Sequence, residues 1–292
     1  MRPFFLFDIC LCGLLLSLTI GCSSDDSATQ HSAHDWHTYN CNVQGSRYNT
    51  AEKDISINNA KNLEMKWQFP ATDSKKIVGA IHATPAVVNG YTYFGTATYP
   101  MFYKVAPNGE MKWQYEPGNE IRKRRRNHLR RKGDTPKDGI FSSALVTESS
   151  VYFGDISGVA YCLDRHTGKE KWIVDSQDLD FPGAHRFNVI MASPIRADGK
   201  IIFAGGAFEH MASSQPGYKC CTGRGFVMAL DPHTGAIIWK YDVGPEPVEF
   251  DPPITLQTDF GERVFYFGPS TSSVWCTPSY DSVTQTIFFG SD

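Results

Sequence analysis

The sequence lacks most of the short motifs that identify an enzyme class. It contains no H-E-x-x-H zinc motif, no G-x-S-x-G nucleophile elbow, no P-loop and no Rossmann fingerprint. These absences disfavour hydrolase and nucleotide-dependent functions. The absence of C-x-x-C-H excludes a covalently attached c-type haem in this chain. Helical periodicity is not sustained anywhere after the N-terminal apolar segment, which disfavours a helical fold.

The chain also has little net charge, with a formal value of −3 over 292 residues, and 41% of its residues are apolar. This composition is typical of a soluble globular protein. Residues 122–132 hold eight lysines and arginines and no acid, so the rest of the chain carries −11. An acidic body without an aromatic platform is a poor ligand for nucleic acid, so no nucleic-acid partner is predicted. The basic insert at 122–132 is interpreted as a solvated loop.

The N-terminus has the pattern of an export signal. Residues 4–21 are apolar except for Asp8, and a single Arg2 precedes them. Gly21 before Cys22 resembles the bacterial lipobox, which predicts a lipoprotein signal peptide at 1–22, lipidation of Cys22 and a polar tether at 23–35. Ser23 favours outer-membrane sorting by the same resemblance. The expected location is the periplasmic side of the outer membrane or the cell surface, with an ordinary cleaved signal or an uncleaved anchor as alternatives.

Five cysteines lie beyond this signal, namely Cys41, Cys162, Cys220, Cys221 and Cys276. An exported protein meets oxidising conditions, under which cysteines can pair. Because the number is odd, the sequence does not define a complete disulfide framework.

The dominant feature of the chain is an internal repeat. Units begin at Ala83, Ser142, Ala192 and Cys276, and the fourth stops within a strand pattern at Asp292. Each unit consists of short β-branched or aromatic runs separated by Asn-Gly, Asp-Gly or Thr-Gly turns, which is typical of hairpins. Such units bury a face only when neighbours stack on them. The sequence therefore predicts an all-β fold, a β-propeller of four-stranded sheets.

A turn motif, A-x-D-x-x-T-G-x-x-x-W, is complete at 229–239 and nearly complete at 162–172. Its Asp and Thr are predicted to cap the turn, its Gly to adopt positive φ, and its Trp to pack between sheets. The motif resembles the tryptophan-docking repeat of quinoprotein propellers, which have eight blades. Four tryptophans in this register mark about four of eight blades, namely Trp67, Trp113, Trp172 and Trp239.

The resemblance to pyrroloquinoline quinone (PQQ) dehydrogenases, and among them to polyvinyl-alcohol dehydrogenases, extends from 36 to 292. It rests on W-H-T-Y-N at 36–40, G-G-A-F-E at 205–209, C-C-T-G-R-G-F-V-M-A-L-D at 220–231 and W-C-T-P-S-Y-D at 275–281. It implies oxidation of an alcohol with PQQ and calcium. The alcohol would be polyvinyl-alcohol-like, polymeric, or another secondary alcohol, and electrons would pass to a separate acceptor.

The same resemblance assigns site residues. It implies that Cys220 and Cys221 form a vicinal disulfide lying flat against PQQ, that Trp275 stacks on the other face, and that Glu209 ligates calcium. Adjacent Cα atoms lie about 3.8 Å apart, or about 2.9 Å across a cis peptide, below the usual disulfide window of about 4.4 to 6.8 Å. Free thiols or distant pairing remain alternatives. A packing role for Trp275 and a solvated Glu209 also remain open.

The resemblance also predicts what this stretch does not hold. Counting from Trp275, the family's calcium-ligand Asn falls immediately after Asp292, and its general-base Asp falls farther downstream. No catalytic residue is therefore assigned, and the expectation is the N-terminal part of an enzyme. Two alternatives are a non-catalytic propeller scaffold, similar to the lipoprotein of the outer-membrane β-barrel assembly machine, and an inactive fragment.

Overall fold

The computed structural model describes residues 32, 34–118, 139–213, 215, 217–259, 261–269 and 272–292. The signal peptide predicted at 1–22, with Cys22, lies outside the described residues, as do most of the tether at 23–35 and the basic insert at 122–132. In the described part of the chain, no helix has both the length and the apolarity needed to cross a membrane.

Three antiparallel sheets coincide with the first three predicted repeats, and in each sheet successive strands are neighbours. A short additional strand, β9, pairs with β11 in the third sheet. The all-β propeller prediction is therefore confirmed. The strands are β1 (Ala86–Val88), β2 (Tyr91–Gly95), β3 (Phe102–Val105), β4 (Met111–Tyr115), β5 (Leu145–Val146), β6 (Ser150–Gly154), β7 (Val159–Asp164), β8 (Glu170–Asp175), β9 (Asn188–Val189), β10 (Ile195–Ala197), β11 (Lys200–Ala207), β12 (Gly225–Leu230) and β13 (Ile237–Val243).

Two hairpins follow the third sheet. A long one, β14 (Val248–Thr258) with β15 (Gly261–Gly268), interrupts the repeat, and a short one, β16 (Ser279–Asp281) with β17 (Thr286–Phe288), begins the fourth. Helical structure among the described residues is limited to a 3₁₀ turn at Ala60–Asn62 and one short helix, α1 (Glu209–Ser213).

The predicted turn caps are present in the second and third sheets. The Oδ1 atom of Asp231 accepts hydrogen bonds from the backbone N–H groups of His233 at 2.9 Å and Thr234 at 2.8 Å, and from the Thr234 hydroxyl at 2.9 Å. Gly235 follows with a φ of 72°, a conformation that glycine adopts without the penalty a side chain would bring. Asp164 makes the same contacts one blade earlier. The motif therefore closes each hairpin by local hydrogen bonds.

The docking tryptophans join successive sheets. Trp172 on β8 packs on Gly235 of the next sheet, where an added Cβ would lie 2.8 Å from the indole. The indole N–H donates to the carbonyl oxygen of Pro232 at 3.0 Å. Trp113 on β4 packs in the same way on Gly168. The repeated glycine is therefore needed both for its φ and for the close approach of the preceding blade.

One segment near the N-terminus ties the sheets together. Residues 36–43 run past the start of the first, second and third sheets and then past β16. At the beginning of this segment, Trp36 and Val87 exchange two backbone hydrogen bonds. The contacts are with Val87 of β1, Val146 of β5, the carbonyl of Pro194 just before β10, and Tyr280 of β16. The predicted opening segment of the family thus becomes a common support for the three sheets and the β16–β17 hairpin.

The turn caps predict a specific acid sensitivity. Hydrogen bonds from Thr167 lower the pKa of Asp164, and those from Thr234 lower the pKa of Asp231. A lowered folded-state pKa gives stability that is present above the unfolded pKa of about 4 and is lost as the pH falls through the folded value. We expect the melting temperature of the wild-type protein to fall between about pH 5 and pH 2, and to fall less steeply in the double variant D164N/D231N.

Differential scanning fluorimetry across this pH range measures the effect. Asparagine keeps an acceptor oxygen, so the comparison isolates the carboxylate charge. The matched control is D73N, at an exposed turn outside the sheets, which is expected to retain the wild-type slope. Parallel wild-type and double-variant curves would contradict the assignment.

Candidate functional site

The candidate site forms where the third sheet meets the loop between α1 and β12. β11 ends at Ala207, and Glu209 begins α1 directly beyond it. The side chain of Glu209 is only 1% exposed. A buried carboxylate is costly unless hydrogen bonds compensate for its lost hydration, so its partners define the site.

Those partners are donors on both sides of the cysteine pair. The Oε1 atom of Glu209 accepts a hydrogen bond from the Tyr218 hydroxyl at 2.8 Å. Its Oε2 atom accepts from the backbone N–H groups of Thr222 at 2.7 Å and Gly223 at 2.6 Å. The His185 Nε2 atom lies 3.5 Å from Oε2. The carboxylate is therefore well satisfied within the described residues.

His185 completes this polar cluster. The backbone N–H of Phe187 donates to its Nδ1 atom at 3.3 Å, which assigns the proton of the neutral ring to Nε2. Nε2 can then donate to the Thr222 hydroxyl at 3.2 Å. Burial lowers the pKa of His185 more than the nearby Glu209 raises it, so the neutral ring is expected at pH 7. Burial also raises the pKa of Tyr218, which keeps the phenol protonated as a donor.

Cys220 and Cys221 form a vicinal disulfide in the same loop, with Cα atoms 3.1 Å apart. Cys221 is buried and Cys220 is half-buried. Both sulfur atoms and a Glu209 carboxylate oxygen lie within 4.8 Å of one another. The pair directly precedes Thr222, so the disulfide and the buried carboxylate belong to one structural unit.

Trp275 lies beside the same stretch of chain. Its ring packs against Phe208, with ring centroids 5.1 Å apart, and against His210 at 6.5 Å. These two residues flank Glu209 in sequence. The indole N–H donates to Asp292 at 2.9 Å. Trp275 is thus positioned through the neighbours of Glu209, rather than through a docking glycine.

Comparison with known proteins decides the family. The family described as "PQQ: Glucose/ethanol/alcohol dehydrogenase, beta-propeller domain" matches residues 36–292. The chain belongs to this PQQ propeller family. The family resemblance inferred from the sequence motifs is therefore confirmed.

Two similar relatives are named as alcohol dehydrogenases. The chain is 26% identical over 267 residues to the dehydrogenase subunit of "Alcohol dehydrogenase (quinone)" from Gluconacetobacter polyoxogenes, covering 88% of this chain and 33% of that protein. It is 25% identical over 263 residues to polyvinylalcohol dehydrogenase from Sphingopyxis sp. (strain 113P3), covering 88% and 35%. The chain thus spans about a third of the length of these relatives.

A solved structure shows the same fold. Quinohemoprotein alcohol dehydrogenase from Comamonas testosteroni matches with a TM-score of 0.61 and 19% identity, covering 88% of this chain and 35% of that one. At 19% identity this likeness shows the fold alone. The chain has the fold of an incomplete PQQ-type propeller.

The structure brings Glu209 together with Cys220 and Cys221, and it packs Trp275 on Phe208 and His210, the residues on either side of Glu209 in the sequence. The sequence reasoning did not identify His185 or Tyr218. Neither has a motif around it, because a lone histidine or tyrosine is common in structural roles.

The donor set bears on a metal ion at Glu209. Calcium takes six to eight oxygen ligands, and the only group of possible metal-binding side chains among the described residues combines Glu209 with the two cysteines, whose sulfurs are joined in a disulfide. The Oε2 atom accepts from two backbone N–H groups, and Oε1 accepts from the Tyr218 hydroxyl at 2.8 Å and the Thr222 hydroxyl at 3.4 Å. Glu209 therefore fits a cation only as a single oxygen ligand, through Oε1, which would share that oxygen with these hydroxyls.

Proposed function

We propose that this chain is the N-terminal, cofactor-contacting part of a PQQ-dependent alcohol dehydrogenase. The observation that carries the proposal is the gathering of a vicinal disulfide, a buried carboxylate and a non-docking tryptophan at the end of β11. The propeller does not need these three features for stability, because the docking tryptophans and the turn caps that hold its sheets together lie elsewhere in the chain.

The residues suited to hold PQQ are Cys220, Cys221 and Trp275. Cys220 and Trp275 are both half-buried, and a polarisable disulfide and a flat indole suit contact with a planar aromatic ligand. When bound, PQQ supplies a quinone carbon that accepts hydride from an alcohol. The role of this chain in that reaction is to bind and orient the cofactor.

Glu209 is proposed to hold calcium beside the cofactor through Oε1. A cation in that position would polarise a neighbouring quinone oxygen as a Lewis acid. The burial of Glu209 favours such a role, because a buried carboxylate beside a cation attracts it with little solvent screening.

The proposed substrate is a secondary alcohol, polyvinyl-alcohol-like or smaller, and electrons are proposed to pass to a separate acceptor. No general base is assigned to this chain. The proposed location is lipid-anchored through Cys22, on the periplasmic side of the outer membrane or the cell surface.

PQQ binding by the full chain, in the presence of calcium, tests the proposal. We expect wild-type protein to bind PQQ, and Trp275→Ala to weaken binding about tenfold, which is the loss of one aromatic stacking contact. Trp275→Phe keeps a smaller ring and is expected to lie between the two. Equilibrium dialysis gives the dissociation constants.

The matched control is Trp239→Ala, which removes a tryptophan of the docking register on β13 and is expected to leave PQQ affinity unchanged. Equal affinities for wild type and Trp275→Ala would exclude the stacking role. A folded wild-type chain that binds no PQQ would instead favour the scaffold or inactive-fragment hypothesis.

A further inference from the structure

The loop that carries the disulfide is held to the third sheet by side chains. It lies between the end of α1 at Ser213 and the start of β12 at Gly225. Among the described residues, no backbone–backbone hydrogen bond joins residues 219–224 to a strand. Its position must therefore be fixed by other contacts.

The Glu209 carboxylate supplies contacts on both sides of the cysteine pair. Tyr218, two residues before Cys220, donates to Oε1, whereas Thr222 and Gly223, the two residues after Cys221, donate to Oε2. The Glu209 side chain thus holds the loop by hydrogen bonds both before and after the disulfide. Hydrogen bonds to an ionised acceptor are roughly twice as strong as neutral ones.

Packing contacts between the loop and its neighbours add to these hydrogen bonds. Gly223 approaches β11 so closely that an added Cβ would lie 2.3 Å from the Cβ of Ala207 and 3.1 Å from Oε2. His185 closes the cluster from the segment before β9 through its contact with the Thr222 hydroxyl. The Tyr218 ring packs edge-on against Phe187, with centroids 6.2 Å apart.

We propose that Glu209 and Tyr218 are positioning residues for the Cys220–Cys221 disulfide. Together they form a clamp that fixes the disulfide at the end of β11. The relevance of this clamp to PQQ rests on the proposed function, but the clamp itself does not.

The rate of disulfide reduction by tris(2-carboxyethyl)phosphine tests the clamp without PQQ or calcium. In this reaction the disulfide becomes two thiols, while the phosphine becomes its oxide with oxygen from water. Thiols released under native conditions are counted by alkylation and mass spectrometry. We expect Glu209→Ala to be reduced about tenfold faster than wild type or more, because losing charge-assisted hydrogen bonds favours local opening of the loop.

Conservative variants separate the clamp from a general loss of structure. Glu209→Gln keeps a carbonyl oxygen that can accept from both N–H groups but loses the charge, so it is expected to restore part of the wild-type protection. Tyr218→Phe removes one donor and is expected to give an intermediate rate. The control is Glu249→Ala, which removes an exposed carboxylate 3.9 Å from Lys219 of the same loop, and it is expected to match wild type.

A wild-type reduction rate in folded Glu209→Ala would overturn the clamp, as would equal rates for Glu209→Gln and Glu209→Ala. If Glu209→Ala does not fold, a wild-type rate in Tyr218→Phe would overturn it. Failure of PQQ binding with the predicted order of reduction rates would reject the proposed function and leave the clamp in place.

Discussion

Replacement of Trp172 by alanine is expected to lower the free energy of unfolding by about 3 to 5 kcal/mol. The side chain is only 7% exposed, and it fills the space between the second and third sheets against Gly235. Alanine would leave a cavity there and would remove the indole N–H that donates to the Pro232 carbonyl. Denaturant titration, with calorimetry to check for a single transition, measures the loss.

Trp239→Ala is the matched comparison, because the residue has the same place in the motif but is 37% exposed. Its loss should be less than half as large, since an exposed side chain forfeits less burial. Equal losses for the two variants would contradict the view that docking between sheets, rather than the tryptophan's own hairpin, provides the stability.

Replacement of Arg165 by alanine is expected to cost about 3 kcal/mol, because each buried acceptor that loses its donor costs about 1 to 3 kcal/mol. Arg165 belongs to the second sheet's turn, and its guanidinium donates from Nε to the Tyr93 hydroxyl of the first sheet at 3.0 Å. It also donates from Nη1 to the carbonyl of Thr147 at 3.2 Å. Alanine would leave these buried acceptors without a donor.

Arg165→Lys tests the geometry of this contact. Lysine keeps the charge but not the planar fork that reaches two acceptors, so an intermediate loss is expected in the same titration. Wild-type stability in Arg165→Ala would show that the first two sheets do not depend on this contact.

The repeat was predictable because its chemistry is local. Asp231, Thr234 and Gly235 lie within five residues, and their hydrogen bonds and φ value need no distant partner. The spacing to Trp239 then follows from the length of one hairpin. The long β14–β15 hairpin was not predicted, because it interrupts the repeat and most of its residues are exposed. Without a buried face it has no strong alternation of apolar and polar residues.

The candidate site, like the fold, has parts that the sequence predicted and parts that it did not. The motifs around Glu209, Cys220, Cys221 and Trp275 could be placed by resemblance, but the partners of Glu209 could not. His185 lies 24 residues before the carboxylate, and its contact depends on where the segment before β9 packs.

The sequence by itself determined an all-β repeat and its turn chemistry, because these follow from short-range spacing, and its motifs resemble those of the PQQ propeller family. Only the tertiary structure decided that Glu209 is buried, that its two oxygens hold the loop on both sides of the disulfide, and that Trp275 packs on the residues beside it. Burial and hydrogen-bond partnership arise when separate strands and loops meet, and spacing along the chain does not encode where that happens.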